Sequence, residues 1–197
     1  MPLNNVTRRT ALLGAAALSV PLPAFALTEP QARRFVQNII DDFLTTINSN
    51  ASDAEIMRRF RTVFASYADS PTIARLVLGA PWRTISANQK TAFIAAFTTY
   101  LSDKYGQRFR AYRGATITVT RSVDAGRKGI LVYSSVQTAG QSPFDLDWQV
   151  SDGSGQTKML DMIIEGISLI SSEREEMRAL LAQNRGNVDR LTAALRG

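Results

Sequence analysis

Apolar residues recur every three or four positions through most of the first half of the chain, which predicts amphipathic helices. Four helices are expected there, and they follow helix-start signals at Thr28, Ser52, Ser70 and Ser86. Each helix should bury its apolar face against another layer of structure. The aromatic residues on these faces are Phe35, Phe43, Phe60, Phe64, Phe93, Phe97, Tyr100 and Tyr105.

After Gly114 the apolar period shortens to two residues, which is typical of half-buried β-strands. Four runs have this period: 116–123, 130–136, 144–150 and 160–164. Short turns rich in Gly, Ser and Asp join them, so we predict an antiparallel meander. Two closing helices are expected near 170–184 and 187–196. Helices segregated from consecutive strands predict an α+β fold.

The first 26 residues have the pattern of an export signal. Arg8 and Arg9 form a basic start, an apolar run follows, and Ala24-Phe25-Ala26 matches the site that signal peptidase reads. The apolar run is too short to span a bilayer, which takes roughly 20 helical residues. The paired arginines fit both the general secretory route and the twin-arginine route. We therefore expect residues 1–26 to be a cleaved signal peptide and the protein to be periplasmic.

Residues 27–197 are expected to form a single domain, mainly helical over 27–112, with the sheet and the C-terminal helices over 113–197. Lys and Arg outnumber Asp and Glu by 23 to 17 in the whole chain, and by 21 to 17 after the two signal arginines are removed. This mild basic surplus suits a protein that works near anionic head groups. No basic cluster is interleaved with aromatic residues, so we expect no nucleic-acid partner.

The chain contains no His and no Cys. Thiol and imidazole catalysis, disulfides and Cys/His metal sites are therefore excluded. An enzyme would have to use Asp, Glu, Lys or Tyr as its acid and base. Asp161 is a candidate because its strand position allows it to be buried, and Tyr133 could act with it. We expect no catalytic residues, no metal and no cofactor.

Two stretches of the sequence resemble the MlaC family of periplasmic phospholipid-binding proteins, also called toluene-tolerance auxiliary components of ABC transporters. The first is Leu78–Gln89, with the sequence LGAPWRTISANQ, in which Ala80-Pro81 replaces the usual Arg-Tyr of the family. The second is Leu160–Leu169, LDMIIEGISL. Arg174 stands where the family carries the Arg of a Tyr-Arg pair, although Glu173 replaces the Tyr. The similarity extends from about residue 30 to the end.

The resemblance implies a helical subdomain packed on a curved, NTF2-like antiparallel sheet of about four strands, with an apolar cavity between them. It also implies a phospholipid carrier whose cargo is its only ligand. Its partners would be an outer-membrane lipoprotein–porin complex and the substrate-binding subunit of an inner-membrane ABC transporter. Such a carrier helps to maintain outer-membrane lipid asymmetry.

With this fold in view, we predict lipid contacts at apolar positions on the two halves that should meet. These positions are Ile73, Leu76, Trp82, Phe93, Phe97, Ile117, Val119, Val132, Trp148, Ile164 and Ile167. Trp82 is expected at the rim, because indole tolerates one wet and one apolar side. Arg83 and Arg174 are expected to meet the phosphate of the head group there.

Two alternatives of other classes stay open at this point. One is an NTF2-like isomerase or dehydratase that uses Asp161 with Tyr133. The other is a periplasmic chaperone or peptide-binding protein, which would take extended polypeptide instead of lipid. Replacing Asp161 by Asn would abolish the activity of the enzyme, whereas a carrier would lose only stability.

Overall fold

The computed structural model describes residues 27–196, without the side chain of Phe109. The predicted signal peptide at residues 1–26 lies outside the described residues. Within them the α-helices are α1 (Glu29–Ile47), α2 (Asp53–Tyr67), α3 (Ser70–Leu78), α4 (Ala87–Gly106), α5 (Leu169–Gln183) and α6 (Val188–Ala194). The strands are β1 (Thr116–Asp124), β2 (Ile130–Gln137), β3 (Phe144–Ser151), β4 (Lys158–Ile164) and β5 (Ile167–Ser168).

The helix starts lie where the sequence predicted them. Before α4, the backbone N–H of Gln89 donates to the hydroxyl of Ser86, and the side chain of Gln89 accepts from the backbone N–H of Ser86 at 2.9 Å. Helix α3 begins at Ser70 as expected, although its cap is the residue before. The carboxylate of Asp69 accepts the backbone N–H of Thr72 at 3.0 Å. These short-range bonds satisfy amide groups that the first helical turn leaves unpaired.

The strands form one antiparallel sheet in the order β1-β2-β3-β4-β5, which confirms the predicted α+β meander. The fifth strand was not predicted, because two residues are too few to show a period. A tight turn at Glu165 and Gly166, both with positive φ (49° and 78°), folds β5 back onto β4. Gly tolerates such a φ without strain, whereas Glu165 does so at some cost.

A bulge in β1 changes which side chains face the helices. Val119 pairs with Ser134 and Arg121 with Tyr133, so Thr120 has no partner on β2. An extra residue of this kind reverses the alternation beyond it. Val123, which the period-two pattern placed inward, is accordingly 43% exposed.

The helices cover one face of the sheet. Helix α1 lies across β1 and β2, while α3 and α5 pack against β4. The fully buried core includes Val36 of α1, Phe93 and Phe97 of α4 and Val132 of β2. Helix α2 differs, since it packs on α1 and α4 and has Ile56 as its one buried residue. The apolar stripe of α2 is therefore left partly uncovered.

Candidate functional site

An apolar cavity lies between α1, α2, the end of α4 and the inner face of the sheet. Its volume is about 150 Å³, and the empty space between its walls, including the open mouth, is about 1000 Å³. Among the described residues, the lining contains a single charged residue, Arg108. Aromatic rings form much of the wall: Phe43, Phe60, Phe64, Tyr67, Tyr105, Tyr112, Phe144 and Trp148. Such a surface favours hydrocarbon over water.

The uncovered stripe of α2 forms much of the helical wall of the cavity. Phe60, Val63, Phe64 and Tyr67 lie at positions i, i+3, i+4 and i+7, so they share one face of the helix. All four are half-buried, because this face meets a hollow instead of packed side chains. The Tyr67 phenol donates to Asp42 at 2.6 Å, and this bond together with partial burial raises the pKa of Tyr67 to about 12. Tyr67 is therefore neutral at physiological pH.

The sheet wall contains three of the predicted lipid-binding positions, Ile117, Trp148 and Ile164. The indole N–H of Trp148 donates to the hydroxyl of Ser134 at 3.0 Å, and that hydroxyl donates to the backbone carbonyl of Leu146. Because its one polar atom is satisfied inside the sheet, the ring of Trp148 offers only hydrocarbon to the cavity.

The other apolar positions predicted to bind lipid lie elsewhere. Phe93 and Phe97 belong to the packed core, where their rings stack with centroids 5.6 Å apart. Ile73 lines a smaller cavity of about 30 Å³, and Ile167 is 64% exposed on the surface. Leu76, Val119 and Val132 also lie outside the lining of the main cavity. Their contact with lipid remains a prediction, and their position outside the lining of the main cavity does not support it.

The three residues predicted to form the rim, Trp82, Arg83 and Arg174, lie in other parts of the fold. Trp82 lies in the connection between α3 and α4, half-buried beneath the ammonium of Lys90. Arg83, in the same connection, is exposed. Arg174 of α5 donates through Nε to the carbonyl of Leu76 at 3.0 Å, which ties α5 to the end of α3. None of the three lines the cavity.

The two sequence stretches that carry the family resemblance form element boundaries in the structure. Leu78–Gln89 contains the end of α3 at Gly79 (φ 69°) and the capping box of α4. In Leu160–Leu169, the Glu165-Gly166 turn is followed by the cap of α5. Most of the predicted site residues that lie outside the cavity lining belong to these stretches or lie near them. Motif residues of this kind shape the backbone, so their position says little about where a ligand lies.

Asp161 is buried, as the sequence allowed, but both of its oxygens are engaged locally. One accepts the backbone N–H of Ile170 at 3.0 Å, and the other accepts the hydroxyl of Ser168, the cap of α5. Tyr133 alternates with the buried Val132 and Ser134 and stacks on Arg121, with the guanidinium 3.4 Å from the ring centroid. Asp161 on β4 and Tyr133 on β2 are separated by β3 and share no hydrogen bond, so the structure does not support this pair as an acid and base.

Sequence reasoning missed Arg108, Tyr112, Met159 and Met162 as part of the cavity. Tyr112 is the last residue of a short 3₁₀ helix (Phe109–Tyr112) that follows α4, and Arg108 immediately precedes it. No apolar periodicity in the sequence predicts this segment. The methionines lie on β4, where the pattern showed a strand but not the space in front of it. The aromatic residues of α2 were recognised as apolar, and nothing in their spacing distinguished a hollow from a filled core.

Across residues 27–196, no group of three or more Asp and Glu side chains is arranged to hold a metal ion. In the same part of the chain, no helix has both the length and the apolar character needed to cross a membrane.

Comparison with known proteins agrees with the fold and the resemblance. The solved structure of a phospholipid-binding protein from Ralstonia solanacearum, in complex with a phospholipid, has a TM-score of 0.70 at 21% identity and covers 84% of this chain and 99% of that one. The intermembrane phospholipid transport system binding protein MlaC of Haemophilus influenzae is 24% identical over 184 residues, which are 89% of this chain and 84% of that relative. The sequence model for the MlaC protein matches residues 37–197. The chain therefore belongs to the MlaC family.

Proposed function

We propose that this protein is a periplasmic carrier that holds the acyl chains of a phospholipid in its cavity. The observation that carries the proposal is the lining itself, an almost wholly apolar wall around a space that is partly open to solvent. The names of the two relatives, one a phospholipid transport binding protein and the other a phospholipid-binding protein, support it.

The energetics explain why such a carrier would be needed. Two acyl chains hold roughly 30 methylenes, and each is worth about 0.8 kcal/mol when it leaves water. A lipid that crossed an aqueous gap alone would therefore pass through a state on the order of 20 kcal/mol above the bilayer. A protein that covers the chains and leaves the head group in solvent removes most of this cost.

The walls of the cavity are suited to an occupant larger than its present volume. Met159 and Met162 form part of the sheet wall, and methionine side chains rearrange easily because they are unbranched. The same two residues, with Phe64 and Tyr105, also border the smaller cavity that Ile73 lines. Movement of the methionines would join the two spaces and lengthen the channel for an acyl chain.

In this proposal the carrier receives or delivers lipid at an outer-membrane lipoprotein–porin complex and at the substrate-binding subunit of an inner-membrane ABC transporter. Release requires that a partner favour a state of the carrier with lower lipid affinity. Traffic of this kind would maintain the lipid asymmetry of the outer membrane.

The direct test is native mass spectrometry of protein purified from a periplasmic extract, followed by lipid extraction. We expect a mass increment equal to phospholipid and recovery of that lipid from the extract. Protein that carries no lipid, and that also takes none from phospholipid vesicles, would refute the carrier. Affinity for an extended peptide in the same samples would instead favour the chaperone alternative.

A second test uses the natural fluorescence of the cavity wall. The chain has two tryptophans, so Trp82→Phe leaves Trp148 as the sole reporter. Lipid entering the cavity should change the emission of Trp148. The matched variant, Trp148→Phe, keeps only Trp82, which lies outside the lining, and should respond little.

A further inference from the structure

Arg108 occupies an unusual place for a charged residue. It follows the C-terminal end of α4 and is exposed, yet it is also the one charged side chain among the seventeen described residues that line the cavity. A residue that is both exposed and part of the lining lies where the cavity meets solvent. The head group of a lipid whose acyl chains occupy the cavity would emerge at this boundary.

Two neighbouring arginines show that Arg108 differs from its surroundings. Arg110 forms an ion pair with Asp53 at the start of α2. Arg113 donates through Nε to the carbonyl of Ile47 at 2.9 Å and so ties this segment to the end of α1. By contrast, the guanidinium of Arg108 makes no hydrogen bond or ion pair with any residue in the described part of the chain.

The acidic side chains on the bordering helices are occupied by other partners. Asp42 of α1 accepts the phenol of Tyr67, and Asp103 of α4 pairs with Arg61 at 2.5 Å. Asp53 is held by Arg110. The charge of Arg108 is therefore not neutralised by these acids, and an anion at the mouth would find it available.

We propose that Arg108 binds the phosphate of the lipid whose acyl chains lie in the cavity, a role that rests on the carrier function proposed above. A guanidinium presents N–H donors in a planar fork that matches two phosphate oxygens. The apolar lining beside it lowers the local dielectric constant, which strengthens the attraction compared with a fully solvated pair. We therefore expect the cavity to bind an acyl lipid with a phosphate head group more tightly than a neutral acylglycerol.

The test compares two ligands that share their acyl chains. Dioctanoyl-phosphatidylglycerol carries the phosphate and dioctanoylglycerol lacks it, and both displace an uncharged, environment-sensitive fluorescent acyl probe from the full chain. We expect Arg108→Ala to weaken the phospholipid roughly tenfold, the worth of one charge-assisted hydrogen bond, and to leave dioctanoylglycerol unchanged. Arg108→Lys keeps the charge without the fork and should fall between the two.

Arg110→Ala is the matched control, because it removes the same charge from the same segment at a side chain engaged with Asp53. It should leave both affinities within about twofold of the unaltered protein, since exposed ion pairs contribute little. Equal thermal unfolding of all variants is expected, because Arg108 is exposed. If Arg108→Ala unfolds, Arg108→Gln repeats the comparison with a longer polar side chain.

Inorganic phosphate distinguishes a lipid head group from a free anion. It offers the same oxygens without acyl chains, so at matched concentration it should not lower the affinity of the unaltered protein for dioctanoyl-phosphatidylglycerol; a lowered affinity would show that Arg108 binds a free anion and would overturn the assignment to a head group. If Arg108→Ala lowered the affinity for both lipids equally, or for neither, the role of Arg108 would also be overturned. The proposed carrier function would not be affected by that result. Failure of the unaltered protein to bind either lipid would instead refute the carrier itself.

Discussion

The phenol of Tyr105 donates a 2.6 Å hydrogen bond to Oε1 of Glu173. The ring of Tyr105 lines the cavity, whereas Glu173 lies on α5 and is 1% exposed. Lys104 donates to the same oxygen at 2.8 Å and also pairs with Glu176, while Oε2 of Glu173 has no partner among the described residues. Removing a partner from a buried carboxylate is costly, because the charge then stays buried with fewer hydrogen bonds. This bond therefore fixes one wall of the cavity to α5.

Loss of that bond should destabilise the fold. We expect Tyr105→Phe to lower the free energy of unfolding by about 1.5–3 kcal/mol, the usual worth of a hydrogen bond to a charged group. Urea unfolding followed by circular dichroism measures the change. Tyr133→Phe, whose ring stacks on Arg121, serves as the control and should change stability by about 0.5 kcal/mol or less. Equal stability of the two variants would contradict the role given to Glu173.

The free energy of unfolding should fall in alkaline solution, because Tyr100, Tyr105 and Lys104 lose there the protons that they hold in the folded state. Burial and the bond to Glu176 raise the pKa of Tyr100 to about 12, and burial with the bond to Glu173 raises the pKa of Tyr105 above its usual range. Partial burial opposes the charge of Lys104, but its bonds to Glu173 and Glu176 hold its pKa above the usual range.

Each of these groups keeps its proton to a higher pH in the folded state than in the unfolded state. Their stabilisation is therefore complete below about pH 10 and is lost as the pH rises through the raised values. Urea midpoints measured from pH 8 to pH 12 should decline above about pH 10. The decline should be shallower in Tyr105→Phe, which lacks one titrating group; parallel curves would argue against the contribution of Tyr105.

Filling the hollow should reduce lipid binding without loss of stability. Val63 lies half-buried on α2 and faces the cavity, so Val63→Trp places a large ring into the space. We expect less co-purifying phospholipid and an unfolding free energy within about 1 kcal/mol of the original, because no packed residue is displaced. Ile167→Trp adds a similar ring at an exposed position and should retain its lipid.

Substitutions at Phe93 and Phe64 should distinguish a residue of the packed core from a residue of the cavity wall. Phe93 is fully buried, and Phe93→Ala should cost about 3–5 kcal/mol of stability. Phe64 is half-buried beside the hollow, so Phe64→Ala should cost less and should alter lipid binding more. Thermal unfolding and lipid extraction on the two variants give both readouts. If Phe93→Ala altered lipid binding more than Phe64→Ala did, Phe93 would be a lipid contact, as the sequence predicted.

Much of the fold was accessible from the sequence because the signals that define it are local. Ser52 and Ser86 cap helices through bonds that span three residues, and the period of two after Gly114 gave four of the five strands. The bulge at Thr120 escaped prediction because it arises from pairing with β2, which the sequence of β1 alone does not record. Its consequence was the outward turn of Val123.

What the sequence determined by itself was the set of elements, their apolar faces and the membership of the MlaC family. Only the tertiary structure decided that the face of α2 meets a hollow while that of α4 is filled. The reason is physical, since the volume between two layers depends on the positions of helices and strands far apart in the chain. Periodicity identifies which side of an element is apolar, but not whether another side chain occupies the space in front of it. The placement of Arg108 beside that space was decided in the same way.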